Sequence, residues 1–226
     1  MKICTNCILD TTVQDIWFDE QGKCKYCYIN DEMEKLHPLD GSASKRLVAI
    51  VQKIKDAVKG KKYDCIAGVS GGRDSTYTLH MAVKLGLRPL AVNLDNGWGT
   101  PLADRNIQNA CKILNIDLIS VKIEWEEYKD IQRAFILAGV SDVDLPSDLG
   151  IYALLFAMAK KHKVKYVLNG HSFRTEGTSP ISWSYFDPLY IKDVNKKYGS
   201  GKPFKSLPTM SMMQLLKYTF IDGIRE

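Results

Sequence analysis

Residues 63–75 read YDCIAGVSGGRDS, an apolar run that leads directly into a glycine-rich loop. The run 63–69 predicts a buried strand, and the periodicity of 73–85 predicts a helix that Gly86 ends. A helix start carries unpaired N–H groups and partial positive charge, and glycine lets the backbone approach an anion closely. The loop therefore predicts a pyrophosphate site. The candidate phosphate-binding residues are Ser70, Gly71, Gly72, Arg73, Asp74, Ser75 and Thr76.

The loop differs from two better-known phosphate motifs. It lacks the closing Gly-Lys-Ser/Thr of a Walker loop and the spacing of the dinucleotide Gly-x-Gly-x-x-Gly fingerprint. A purely structural glycine turn is the alternative interpretation. Asp74 beside an anion indicates a bridging Mg²⁺, because a carboxylate and a pyrophosphate otherwise repel. Asp74 as a simple helix cap is the other interpretation.

Strands and helices alternate after the loop, which predicts one α/β domain. Apolar strand runs separated by helices are typical of a parallel sheet with helices on both faces. The carboxyl ends of such strands share one edge, where ligands bind. From 172 to 208 the periodicity fades, and a last helix is expected over 209–221. The other expected strands are 89–94, 117–123 and 165–169, and the other expected helices are 31–37, 44–58, 101–114, 124–138 and 147–162.

Composition describes an ordinary globular chain with a mild basic excess. Its 226 residues include 31 Lys plus Arg against 26 Asp plus Glu, giving a formal net charge of +5. That excess does not require a nucleic-acid partner. The basic residues of 192–205 indicate either a solvated loop or a phosphate-contacting lid. There is neither a membrane-length apolar run nor an apolar signal core after Met1, so we expect a cytoplasmic protein.

Four cysteines cluster at the amino end in two Cys-x-x-Cys pairs. Cys4, Cys7, Cys24 and Cys27 have the spacing of a four-thiolate Zn²⁺ site, which is structural because no position stays open. A redox pair and an iron–sulfur cluster are the alternatives. Cys65 and Cys111 are expected to be packing residues. We divide the chain into a zinc ribbon (1–30), a linker and helix (31–60) and the α/β domain (61–226).

The Ser-Gly-Gly-Arg-Asp-Ser loop after a strand resembles the ATP pyrophosphatase (PP-loop) superfamily, whose fold is the adenine-nucleotide alpha-hydrolase-like type. The chain further resembles the N-acetyl sugar amidotransferases of O-antigen and flagellin-glycan biosynthesis. That resemblance runs along the whole chain, although family members continue past this carboxyl end. We therefore expect a domain that is truncated relative to the family, and a compact form of the family is the alternative. The motifs that carry it are the Cys-x-x-Cys-Ile-Leu-Asp-Thr-Thr start, the phosphate loop, Leu94-Asp95-Asn96-Gly97-Trp98, Asn169-Gly170-His171, Thr175-Glu176-Gly177, the stretch around Trp183 and the helix from Ser211 to Leu216.

The resemblance implies a concrete reaction. ATP adenylates the acetamido oxygen of a nucleotide-activated N-acetyl sugar with release of pyrophosphate, and ammonia displaces AMP to leave an acetamidino group. The implied cofactors are ATP, Mg²⁺ and structural Zn²⁺. A separate glutaminase is expected to supply the ammonia. We expect no membrane or nucleic-acid partner, and a homodimer is one expected assembly.

The family also implies roles for residues at the other strand ends. Leu94 is expected to meet adenine, with Asp95 and Asn96 near the ribose or phosphates; an Asx turn is the alternative for Asp95-Asn96-Gly97. Gly170 and His171 follow the fourth strand and are expected to contact ATP. The remaining assignments are Arg174 to phosphate, Glu176 to the sugar or a proton, and Asp148, Trp183 and Tyr185 to the substrate.

Several of these residues, and the function itself, have alternative interpretations. Arg174 and Glu176 are also consistent with a surface salt bridge, and Trp183 and Tyr185 with loop packing. A PP-loop tRNA-thiolating enzyme is the second functional hypothesis, weakened because 144–148 (DLPSD) contains no cysteine to carry sulfur. A non-catalytic nucleotide-binding partner of a glutaminase is the third.

Overall fold

The computed structural model describes residues 1–180, 183 and 187–226 of the chain. It divides into two compact units. The first unit comprises Met1–Leu47 with His171–Tyr185, and the second comprises Val48–Gly170 with Phe186–Glu226.

The second unit contains a four-stranded parallel sheet, as the sequence predicts. The strands are β1 (Cys65–Gly68), β2 (Pro89–Asp95), β3 (Leu118–Lys122) and β4 (Val167–Leu168). Their order across the sheet is β3-β2-β1-β4, and each neighbouring pair is parallel. The carboxyl ends of all four strands therefore lie at one edge.

Helices of the second unit pack on both faces of this sheet, which also confirms the prediction. On one face, Ile66, Leu90 and Val92 form a buried cluster with residues of the helix Leu145–Lys161. On the other face, Ala67 and Ala91 pack with Leu79, Ile107 and Cys111. The alternation follows from the two-residue period of a strand. The helices are α1 (Lys25–Leu36), α2 (Gly41–Ala57), α3 (Arg73–Lys84), α4 (Pro101–Leu114), α5 (Trp125–Ala138), α6 (Leu145–Lys161), α7 (Phe173–Glu176), α8 (Pro188–Tyr198) and α9 (Met212–Leu216).

Some predicted boundaries are wrong. The helix expected at 31–37 begins earlier, at Lys25, and α2 begins within the expected linker, at Gly41. The segment 172–208, expected to be irregular, contains α7 and α8. The start of α8 has a clear local cause: Asp187 accepts a hydrogen bond from the Leu189 N–H at 2.8 Å, and Pro188 occupies the first turn.

The carboxyl-terminal segment also differs from expectation. The helix expected over 209–221 begins at Met212, and a π-helical turn, Lys217–Ile221, follows it. Arg225 then pairs in parallel with Tyr166 at the start of β4. Leu215 and Tyr218 pack on the core of the second unit, whereas Met213, Phe220 and Ile221 are exposed. Among the described residues, no helix has the length and hydropathy needed to cross a membrane.

Candidate functional site

The glycine-rich loop joins the end of β1 to the first turn of α3, where Gly72 is the N-cap residue. Its hydroxyls organise the turn: the Ser70 and Ser75 Oγ atoms lie 3.1 Å apart, and Thr76 Oγ1 donates to the Gly72 carbonyl at 2.7 Å. The Gly72 side of the loop is exposed to solvent. A phosphate can therefore approach the N–H groups of the first helical turn, where the helix dipole is positive.

Glycine is required at position 71 for two reasons. Its φ is +76°, in the left-handed region. A side-chain carbon there would also stand only 2.3 Å from the carbonyl oxygen of Ala103, in the first turn of α4. The loop is thus pressed against α4.

The end of β4 approaches the same helix start. A side-chain carbon on Gly170 would stand 3.0 Å from the backbone nitrogen of Ser75 and 3.2 Å from the carbonyl carbon of Asp74. Two loops from neighbouring strands therefore meet at the first turn of α3. The expected contact of Gly170 with ATP stays a prediction.

Arg73 and Asp74 are the exposed charges of this loop. Their side chains are 87% and 51% exposed, and Arg73 Nε lies 3.4 Å from Asp74 Oδ1. Asp74 lies in the first turn of α3, whose N-cap residue, Gly72, has no side chain that could cap the helix. An accessible carboxylate is a suitable ligand for a hydrated Mg²⁺.

The carboxyl end of β2 forms an Asx turn at Asp95-Asn96-Gly97, which is the alternative interpretation of this stretch. Gly97 N–H donates to Asp95 Oδ1 at 2.9 Å, and Trp98 N–H donates to Asn96 Oδ1 at 3.0 Å. Leu94 is half-buried and packs between two hydrophobic clusters. One carboxylate oxygen of Asp95 and the amide oxygen of Asn96 are thus engaged in local structure.

A polar network next to this turn was not predicted from the sequence. Asn96 Nδ2 donates to Ser147 Oγ at 2.8 Å, Ser147 is hydrogen-bonded to the Tyr128 hydroxyl, and Gln132 Nε2 donates to that hydroxyl at 3.0 Å. Burial raises the pKa of Tyr128 to about 12, so the phenol stays neutral and can donate. The network connects the end of β2 to α5 and α6. Asp148, the next residue of α6, is half-buried.

Arg174 and Glu176 lie in the first unit and form the ion pairs that were their alternative interpretation. Arg174 donates to Glu34 Oε2 and to the His37 carbonyl, and its guanidinium stacks on Phe173 at 4.6 Å. Glu176 Oε2 lies 2.8 Å from His171 Nδ1. Both pairs are local to α7 and α1. Trp183 is 44% exposed, whereas the assignment of Tyr185 falls outside the described residues.

The four amino-terminal cysteines converge in the first unit. All four Sγ atoms lie within 4.8 Å of one another, with Cys4–Cys27 at 3.8 Å, Cys7–Cys24 at 3.6 Å and Cys24–Cys27 at 3.8 Å. Four ligands about 2.3 Å from one tetrahedral zinc ion stand about 3.8 Å apart. The donor set and spacing therefore fit a single four-coordinate metal ion.

Backbone N–H groups donate hydrogen bonds to the sulfur of Cys4 in this cluster. The N–H groups of Cys24 and Asn6 donate to Cys4 Sγ at 3.2 and 3.4 Å. Burial alone would raise the pKa of the Cys4 thiol, but these donors outweigh it and lower the value to about 6. Such donors orient a thiolate ligand and stabilise its charge.

No protein-family model matches the chain. An uncharacterized protein of Methanocaldococcus jannaschii is 29% identical over 171 residues, which are 74% of this chain and 58% of that protein. The chain thus spans less than two thirds of the length of that relative.

Three solved structures align with parts or all of this chain. One is glutamine-dependent NAD⁺ synthetase from Acinetobacter baumannii, in complex with ADP, which is 15% identical. The alignment covers 72% of this chain and 33% of that protein, with a TM-score of 0.46. NH₃-dependent NAD synthetase from Campylobacter jejuni is 15% identical. The alignment covers 68% of this chain and 72% of that protein, with a TM-score of 0.42. The U34-tRNA thiolase NcsA from Methanococcus maripaludis, with its [4Fe-4S] cluster, is 13% identical. The alignment covers 100% of this chain and 74% of that protein, with a TM-score of 0.39. Likeness at this level assigns no activity.

The other two cysteines lie in the core of the second unit. Cys65 in β1 is 0% exposed, and burial raises its pKa to about 12. Cys111 in α4 is 5% exposed, and burial raises its pKa as well. A thiol that is buried and protonated is a poor nucleophile. Both cysteines are therefore packing residues, as expected.

Proposed function

We propose that this chain is an ATP-dependent enzyme that cleaves ATP between the α- and β-phosphates. The observation that carries the proposal is the loop 70–76, whose serines and glycines surround the exposed first turn of α3 at the carboxyl edge of a parallel sheet. Backbone N–H groups fixed in that position stabilise the negative charge that develops on a departing pyrophosphate. No large rearrangement is needed, because the loop is already ordered by its own hydroxyls.

Mg²⁺ belongs to this proposal, and Asp74 is the residue that would hold it. The ion would neutralise charge on the leaving pyrophosphate. Arg73 and the hydroxyls of Ser70 and Ser75 supply further donors. Gly170 keeps the end of β4 close to α3 without a side chain in the way. Together these residues hold the phosphates in line for displacement at the α-phosphorus.

The acceptor that we propose is the acetamido group of a nucleotide-activated sugar, modified for O-antigen or flagellin glycan. Its carbonyl oxygen attacks the α-phosphorus, the bond to the bridging oxygen breaks, and pyrophosphate leaves. Ammonia then adds to the O-adenylated imidate carbon, AMP leaves, and an acetamidino sugar remains. Support for this acceptor comes from the order of sequence motifs around Leu94–Trp98 and Thr175–Gly177.

Residues of 171–185 are assigned to the acceptor and its proton transfers in this proposal. The Glu176 carboxylate, paired with His171, suits removal of a proton from ammonia or the amide. Trp183 and Tyr185 would stack on the sugar or its base. Arg174 is engaged with Glu34 and the His37 carbonyl, so it would position α7 rather than bind phosphate. Asp148 is the remaining residue that we assign to the substrate.

Ammonia would come from a separate glutaminase. We also propose that the cysteine cluster holds one structural Zn²⁺, because four thiolates leave no open position for substrate. A cytoplasmic location is part of the proposal, since none of the six cysteines forms a disulfide and the reaction consumes ATP. The thiolation hypothesis is disfavoured because Cys65 and Cys111 are buried and protonated.

The decisive experiment measures pyrophosphate release with ATP, Mg²⁺, ammonium and a panel of nucleotide N-acetyl sugars. We expect release with AMP formation that depends on both ammonium and one class of sugar. The double variant Asp74→Ala, Ser75→Ala should lose it, whereas the surface double variant Ser44→Ala, Asp56→Ala should retain it. Full turnover by the loop variant would falsify the loop assignment.

Two other outcomes favour the alternatives. Turnover that requires tRNA and a sulfur donor, without any need for sugar, would identify a thiolating enzyme. ATP binding without pyrophosphate release, even with a glutaminase present, would identify a non-catalytic partner.

A further inference from the structure

Asn106 of α4 contacts the phosphate loop directly. Its Nδ2 donates a hydrogen bond to the carbonyl oxygen of Gly71 at 3.1 Å. The backbone of Gly71 is also pressed against Ala103, one turn earlier on the same helix. The loop is therefore held from outside its own motif, by a side chain of a different helix.

This contact fixes the orientation of one peptide group. The group is the peptide that joins Gly71 to Gly72. Because neither residue has a side chain, steric resistance to a flip of that peptide is small. In a trans peptide the C=O and N–H point in opposite directions. With its C=O turned to Asn106, the peptide directs the Gly72 N–H toward Ser70 Oγ, 3.4 Å away inside the loop. A flip would replace that N–H by a carbonyl oxygen, which repels an anion.

We propose that Asn106 is a positioning residue that keeps the Gly71–Gly72 peptide turned for anion binding. The inference rests on the proposed function, because it assumes that the loop receives a pyrophosphate. It extends the candidate site beyond the Ser-Gly-Gly-Arg-Asp-Ser motif to the middle of α4. Asn106 touches the loop and acts on the ligand only through it.

The test compares three variants of the full chain. Asn106→Asp replaces the donor by a charged acceptor of the same shape, and Asn106→Leu removes the donor without adding charge. Asn109→Asp is the matched control, because Asn109 is exposed on the same helix and receives the same charge change. Calorimetric titrations with inorganic pyrophosphate plus Mg²⁺, and separately with adenosine, measure affinity, and thermal unfolding measures folding.

Both variants at Asn106 should bind pyrophosphate about tenfold more weakly, as expected for one lost hydrogen bond. Their adenosine affinity and unfolding midpoints should match those of Asn109→Asp. Amide hydrogen exchange at Gly72 should be faster in both. A purely structural contact would change the unfolding midpoint and leave the ratio of the two affinities unchanged.

The outcomes separate this inference from the proposed function. Equal pyrophosphate affinity in Asn106→Leu, Asn106→Asp and Asn109→Asp overturns the positioning role alone. If the unaltered chain binds neither pyrophosphate nor ATP, the proposed function fails, and the positioning role fails with it.

Discussion

A side-chain carbon on Gly170 would stand 3.0 Å from the backbone nitrogen of Ser75. That distance is shorter than nearly all contacts of a Cβ atom, and the obstructing atoms are backbone at the start of α3, which give way less easily than a flexible side chain. We expect Gly170→Ala to push β4 and the helix start apart and to weaken ATP binding at least tenfold. Titration with ATP and Mg²⁺ measures the effect.

A matched glycine provides the control for that change. An added side-chain carbon on Gly41 meets nothing within 4 Å, so Gly41→Ala should bind ATP as the unaltered chain does. Unchanged ATP affinity in Gly170→Ala would mean that the nucleotide binds elsewhere.

The fold was predictable from sequence because its signals are local. The apolar runs at β1 and β2, each followed by a helical period, specify a parallel sheet without any knowledge of distant contacts. The loop 70–76 was predictable for the same reason, since a strand, two glycines and a helix start are adjacent in the chain. The start of α8 carried a local signal as well, Asp187-Pro188, which hydrophobic periodicity alone does not detect.

Other parts of the site depend on contacts between residues far apart in sequence. Arg174 meets Glu34, and Asn96 meets Ser147, only after folding. Neither pair has a spacing or motif that a single sequence reveals. The Asn106–Gly71 contact is of the same kind.

The buried network at the end of β2 predicts a stability effect. Ser147 is 2% exposed and connects Asn96 to Tyr128, so Ser147→Ala removes the acceptor of the half-buried Asn96 Nδ2 and leaves the buried Tyr128 hydroxyl with Gln132 alone. We expect a loss of about 1–3 kcal/mol in the free energy of unfolding of the second unit. Urea denaturation measures it, and the exposed Ser44→Ala should change nothing. Equal midpoints for the two variants would contradict the network's role.

Removal of one cysteine ligand should release the metal. Elemental analysis of the purified chain should find about one zinc per molecule, and Cys24→Ala should reduce it to near zero and destabilise the first unit. Cys111→Ala is the control, because it removes a core thiol outside the cluster. Iron with acid-labile sulfide in place of zinc would establish the iron–sulfur alternative.

Glu127 predicts a pH-dependent contribution to stability. Burial alone would raise its pKa, but it accepts hydrogen bonds from the backbone N–H groups of Lys205, Ser206 and Leu207, and the net effect lowers the pKa below the ordinary value. A carboxyl with a lowered folded-state pKa stabilises the fold above its unfolded pKa. That stabilisation is lost as the pH falls from about 4.3 through the folded-state pKa.

We therefore expect Glu127→Gln to cost about 1–2 kcal/mol of unfolding free energy at pH 7, since it replaces hydrogen bonds to a charged acceptor by weaker ones. The difference from the unaltered chain should shrink below about pH 4.3, where the Glu127 carboxylate of the unfolded chain begins to bind its proton. Glu126→Gln is the control, because its side chain is 79% exposed and its pair with Lys129 is worth little. Urea denaturation between pH 7 and pH 3.5 measures all three chains. A stability difference that stays constant across that range would show that the charge of Glu127 does not hold the 205–207 segment.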